Sequence, residues 1–162
     1  MMGSILALDV GARRIGVAVG DALGLLASPR TVIFRRSTQS ALEEIVRLVR
    51  AEEAALVVVG LPISLDGQLH SQAQTVQRFG ERLRKLLDAL DVPMVYADEM
   101  LSTVRAEERL RAAGVRPNRI RERIDAMAAA VILEEYLDQR RRANQQAAQE
   151  AAGHENGEDE SR

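Results

Sequence analysis

The chain is expected to fold as an α/β protein: one mixed five-stranded sheet with helices on both faces. Two observations carry that expectation. Near the N-terminus three short β-rich runs follow one another through tight connections, which is the pattern of an antiparallel front. Behind them strands and helices alternate, which is the order of parallel βαβ units.

Ile5–Leu8 and Ile15–Val19 are apolar runs joined by a short turn containing Gly11, and they read as a β-hairpin. Ser28–Phe34 is the third strand, closed by Arg35-Arg36-Ser37. Thr38–Glu53 carries Leu42, Ile45, Val46 and Val49 at helical spacing, with Ser40 and Glu43 as a capping box. Ala55–Val59 is short, apolar throughout and closed by Gly60-Leu61-Pro62, as a buried central strand is. The loop ISLDGQLH follows, with a turn at Asp66-Gly67. Ser71–Leu90 is a second helix with Val76, Phe79, Leu83, Leu86 and Leu87 on one side. Pro93–Ala97 is the fifth strand and runs into Asp98-Glu99. A helix capped by Ser102 or Thr103 reaches about Ala113, and the break at 114–118 opens a loop to Glu122. The last core helix spans Ile124 to about Arg142. Residues 1–142 are thus one domain, and 143–162 a polar acidic tail, disordered at its end, whose alanine-rich part extends the helix.

Composition excludes several classes. With no cysteine there are no disulfides, thiolate zinc sites or cysteine nucleophiles, which fits a reducing cytosol and a cytoplasmic protein. No apolar run approaches bilayer length, so no membrane partner is expected. The net charge of −2 is uneven. Residues 150–162 hold five carboxylates against Arg162, a net of −4, so the remainder is mildly basic and compatible with nucleic acid. Phe34, Phe79, Tyr96 and Tyr136 are the only aromatics, which argues against a base-stacking surface.

Sites in open α/β sheets form at the carboxyl ends of strands. Asp9 ends the first strand, and Asp98 and Glu99 end the last. Asp125 lies in the first turn of the last helix, in line with Ala129, Ile132 and Tyr136, on the face expected to pack on the sheet. The small residues Ala126–Ala130, with Met127 among them, allow that helix a close approach. A turn aspartate at Asp9 and a helix-dipole aspartate at Asp125 are the ordinary alternatives. Neither explains three acids on one rim. Converging carboxylates need a cation, and an oxygen-only donor set selects Mg²⁺ or Mn²⁺. Such clusters suit phosphoryl chemistry. Around them residues 103–123 carry seven arginines against three glutamates, a net of +4, and Arg13 and Arg14 sit in the first turn. A basic segment beside an acidic metal site is what a polyanionic substrate needs, although a solvated helix face accounts for such charge equally well.

Four motifs in order, DVGARRIGVAVGD, VVVGLP followed by LDG, ADEMLST and IDAMAAAVIL, resemble those of the YqgF/RuvX family over about residues 5–138. The resemblance implies an RNase H-like fold with sheet order 3-2-1-4-5. It implies a metal-dependent nuclease of the type linked to pre-16S rRNA processing and Holliday-junction resolution, with Asp9, the Asp98-Glu99 pair and Asp125 as its catalytic and metal-binding acids. Related resolvases carry an acid at the exit of the fourth strand, where this chain has Gly60-Leu61-Pro62. The second carboxylate then comes from Asp98 or Glu99. Strand alternation puts these on opposite faces and favours Glu99. Met100, Ala12 and Arg123 also stand where the family usually has Arg, Thr and Lys. Arg13, Arg14, Arg105, Arg116, Arg119 and Arg123 are the candidate phosphate contacts. A homodimer would suit a symmetric four-way junction. The alternatives are a non-catalytic nucleic-acid-binding module and, because Asp9, Gly11 and Gly16 also satisfy D-x-G-x-x-x-x-G, an actin-like ATPase fragment.

Overall fold

The computed structural model describes residues 3–62, 70–99 and 102–155. The turn expected at Asp66-Gly67, and Met100, lie outside the described residues. Five strands, β1 (Ser4–Val10), β2 (Arg14–Gly20), β3 (Ala27–Phe34), β4 (Ala54–Leu61) and β5 (Met94–Asp98), form one sheet of order β3-β2-β1-β4-β5. β1 pairs antiparallel with β2 and parallel with β4; β2–β3 is antiparallel and β4–β5 parallel. This is the expected mixed sheet.

The strands are apolar on both faces because both are covered. Leu6, Leu8, Val57 and Val59 pack into one core with α1 (Thr38–Ala51) and α2 (Ser71–Asp88). Ile5, Ala7, Leu56 and Val58 point the other way, into a second core with Ala129, Ile132, Leu133 and Leu137 of α4 (Pro117–Glu155). A third cluster, around Ala106, Ala128 and Val131, joins α3 (Ser102–Ala112) to α4. Because successive strand residues alternate faces, Asp9 follows Ile5 and Ala7 onto the α4 face.

Three local expectations are corrected. The capping box of α1 is formed by Ser37 and Ser40, not Ser40 and Glu43: Ser37 Oγ accepts from the Ser40 amide at 3.0 Å and Ser40 Oγ from the Ser37 amide at 3.2 Å. The expected loop through Glu122 is helix. Pro117 is the first residue of α4 rather than a breaker, since a first-turn residue needs no amide hydrogen and the proline ring presets a helical φ. The break before it covers residues 113–116, with Gly114 at φ 78°. Leu86 is 38% exposed, off the buried stripe of α2. Beyond Leu137 no residue of α4 from Asp138 to His154 is buried, although the helix continues through the alanine-rich segment. No helix among the described residues is long and apolar enough to cross a membrane.

Candidate active site

Two glycines decide how closely the acids gather. Asp9 pairs across the hairpin with Gly16. A Cβ built at Gly16 would overlap the backbone carbonyl of Asp125, so α4 touches the sheet there, at the turn that carries its acid. The second glycine of the D-x-G-x-x-x-x-G spacing therefore serves the approach of the helix. Gly11 serves the turn itself: its amide donates to the Arg14 carbonyl at 2.9 Å, and a Cβ would collide with that carbonyl.

Gly60 performs the matching role on β4. A Cβ at Gly60 would overlap Glu99 Oε2 and stand 2.7 Å from Ile132 Cδ1. The Glu99 amide donates to the Leu61 carbonyl at 3.2 Å, continuing the β4–β5 ladder one residue beyond the strand. Val95 and Ala97 face the α4 core, so alternation sends Glu99 to that face and Asp98 to the other. The carboxylate absent from the exit of β4 is replaced by one reaching in from β5, through the space that a side chain at position 60 would fill. Sequence reading saw the missing acid without this complementarity, although Gly60 itself was the signal.

The Asp9 and Glu99 carboxyls lie close enough to share a proton. Burial pushes the Asp9 carboxyl above the ordinary carboxylate range; the bond from Glu99 opposes this and the Asp125 charge adds to it. Glu99 is pushed up to about 9, by burial first, then by the Asp9 charge, the shared bond and Asp98. At neutral pH the Asp9–Glu99 pair therefore retains one shared proton. Asp125 is neutralised differently. Arg14 Nε lies 3.0 Å from its Oδ2. That ion pair lacks hydrogen-bond alignment, and Oδ2 is buried without a hydrogen-bond partner, as is Glu99 Oε2. Among the described residues no three of His, Asp and Glu stand in an arrangement that could hold a metal ion as they are placed. What the rim holds instead is one proton and one guanidinium, two positive equivalents set against three carboxyl groups. The two orphaned oxygens and the all-oxygen donor set fit a divalent cation that would displace both.

The arginines divide. Arg105 pairs with Glu135, and Arg109 Nη2 lies 2.5 Å from Glu134 Oε2, so these two tie α3 to α4. Arg119 lies 3.9 Å from Glu122, a loose exposed pair. Arg13, Arg116 and Arg123 have no carboxylate partner among the described residues. Arg35 donates to the Gly11 carbonyl at 2.8 Å and lies over the Phe79 ring, holding the first turn in place. His70 occupies the N-cap position of α2 without capping through its side chain.

Sheet order, crossover and the placement of acids on β1, after β5 and on α4 define an RNase H-like fold of the resolvase type. Solved structures agree. Thermus thermophilus RuvC bound to a Holliday-junction substrate superposes at TM-score 0.51, covering 85% of this chain and 95% of that one at 16% identity. The fowlpox virus resolvase with Holliday-junction DNA superposes at 0.56, covering 84% and 97% at 9% identity. Residues 3–139 match the family described as "RuvX: Holliday junction resolvase", and the chain belongs to that family. A Chloroflexus aurantiacus relative named "Putative pre-16S rRNA nuclease" is 47% identical over 137 residues, 85% of this chain and 88% of its own. One from Synechococcus sp. (strain JA-3-3Ab), with the same name, is 49% identical over 138 residues, 85% of each chain.

Proposed function

We propose that this protein is a cytoplasmic endonuclease, dependent on Mg²⁺ or Mn²⁺, that hydrolyses phosphodiester bonds of structured nucleic acid, as in trimming the 5′ end of pre-16S rRNA or resolving a four-way junction. The observation that carries this reading is the meeting of Asp9, Glu99 and Asp125 on one face, with two buried oxygens lacking hydrogen-bond partners. Asp9, Glu99 and Asp125 would hold the metal, which supplies charge neutralisation at the phosphate and an activated water.

The protein's own groups do the rest. In a ligand role Glu99 would release the shared proton to solvent, leaving both acids ionised. Arg14, now on Asp125, would then be available to a phosphate oxygen, where its fork can bind two oxygens at once. Arg13, Arg116 and Arg123 extend positive charge along the strand's path, holding the backbone without reading its bases. Gly16 and Gly60 keep the acids close while adding no side chain that would crowd them.

The deciding experiment is one cleavage panel at a single stated salt concentration: a precursor rRNA leader, a four-way junction and linear duplex, each with Mg²⁺, Mn²⁺ or EDTA. Metal-dependent cutting of a structured substrate is expected. The closed state of the rim, with Arg14 on Asp125, favours one second reading, a module that binds but does not cut; binding without cleavage in every arm would establish it.

A further inference from the structure

A cleft of about 750 Å³ lies beside the carboxylates, and the reaction proposed above uses only Arg14 and Arg123 of its lining. One wall is the edge strand β3; the other is the start of α4 with the end of α3. Val32 and Met127 give it an apolar lining, and Arg14, Arg30, Arg121 and Arg123 supply positive charge against the single carboxylate of Glu122. Phe34 lines it too, yet its side chain is 70% exposed.

These residues are next to the acids. Phe34 pairs directly across the strands with Arg14, so the two side chains share a face, and Arg14 reaches Asp125. Met127 is two residues beyond Asp125 on α4. Arg121 and Arg123 have no carboxylate partner among the described residues.

A duplex backbone does not explain this arrangement. Sugar and phosphate gain nothing from an apolar slot, and a phenyl ring held in water gains nothing by itself. An apolar cleft with an exposed ring and two guanidinium groups without carboxylate partners complements a planar base carrying a phosphate. Inside a helix both faces of a base are already stacked, so the nucleotide must be unpaired. The volume lies within the range of about 300–1,000 Å³ for small-ligand sites, which leaves room for a base together with its sugar and phosphate.

We propose that this cleft receives one unpaired base of the substrate strand, stacked on Phe34 and Met127, with its phosphate at Arg121 and Arg123. The inference rests on the nuclease reading and deepens it. The substrate carries an unpaired nucleotide beside the bond that is cut, in a loop, a bulge, a single-stranded end or an opened branch point. Scarcity of aromatics rules out an extended stacking surface but not one base pocket, and one ring stacks one base.

The test uses binding, so it does not depend on cleavage. Full-length protein carrying Asp9→Asn is titrated with 12-nucleotide single strands containing one 2-aminopurine, as RNA and as DNA, and with the matched duplexes. Quenching of 2-aminopurine on binding at least one kind of single strand is expected. Phe34→Ala, added to the same background, weakens that binding about tenfold and removes the quenching, on the scale of losing one base–aromatic stack. Phe34→Trp restores both, and duplex affinity does not change with either. Because Phe34 is mostly exposed, the variants should keep the parent's circular dichroism and melting temperature. Equal affinities for Phe34→Ala and its parent on both RNA and DNA strands, or quenching that survives the substitution, would overturn the base pocket. Failure of the nuclease reading would appear separately, as absence of metal-dependent cleavage by the unsubstituted protein.

Discussion

Glu99 and Asp9 compete for charge in a space that water barely reaches, and one proton settles the competition. Glu99 titrates near 4.5 when unfolded and is raised to about 9 in the fold, so between these values the folded, metal-free protein binds more protons than the unfolded chain. A raised carboxyl favours folding fully below the unfolded value and loses that contribution as pH rises through the folded one. Melting temperature without metal should therefore fall from pH 5 to pH 9, with a limiting slope of about 1.4 kcal/mol per pH unit for one proton. Glu99→Gln should flatten the slope, and Mn²⁺ at pH 8 should restore stability to the unsubstituted protein; a flat metal-free profile would contradict the shared proton. Asp9→Asn removes a proposed ligand but keeps the side chain's size. It should reduce cleavage by more than about a hundredfold, the scale of losing a group that stabilises developing charge. Its far-ultraviolet circular dichroism should not change.

At the scale of elements, the site depends on how α4 and β5 are seated. Gly16→Ala inserts a methyl group where the backbone of Asp125 lies, and Gly60→Ala inserts one where the Glu99 carboxylate and Ile132 lie. Each should destabilise by about 1–3 kcal/mol in urea titration, the usual cost of overpacking, and each should lose activity beyond what the stability change explains. Arg105 and Arg109 test the opposite case. They join α3 to α4 through Glu135 and Glu134 at half-exposed positions. Arg105→Ala should cost no more than about 1 kcal/mol and leave KM for a structured substrate unchanged, as an exposed ion pair does. A large rise in KM would return Arg105 to the phosphate-binding set. Element types were legible because periodicity and turn residues report on local burial. The Arg–Glu pairs were not, because charge counted along residues 103–123 does not show which charges face another helix. Pro117 was misleading because the same ring ends one helix and starts another.

Topology is the best-read property of the whole molecule. Hairpin connections force antiparallel neighbours and a helical crossover forces a parallel one, so strand order followed from connection types and the family resemblance. The acids on β1 and α4 were legible for the same reason. The cleft beside them was not, since a space between β3 and two helices belongs to no single segment of sequence. Residues beyond 142 are exposed through His154, so a chain ending at 142 should melt within about 0.5 kcal/mol of the full chain and cut at the same rate. A large loss of either would give the distal helix a role.

That distal helix also governs how the protein travels through a solvent. A compact chain of this length has a radius of gyration of about 15 Å. From Asp138 to Glu155 the helix stands away from the body by about 25 Å at 1.5 Å per residue. Friction follows the longest dimension, so a 17.8 kDa monomer should leave a gel-filtration column ahead of globular standards of its own mass. Its apparent mass there would be too high. Light scattering, which weighs the particle regardless of its outline, would give the true mass, and the chain cut at 142 would move back toward the globular calibration line.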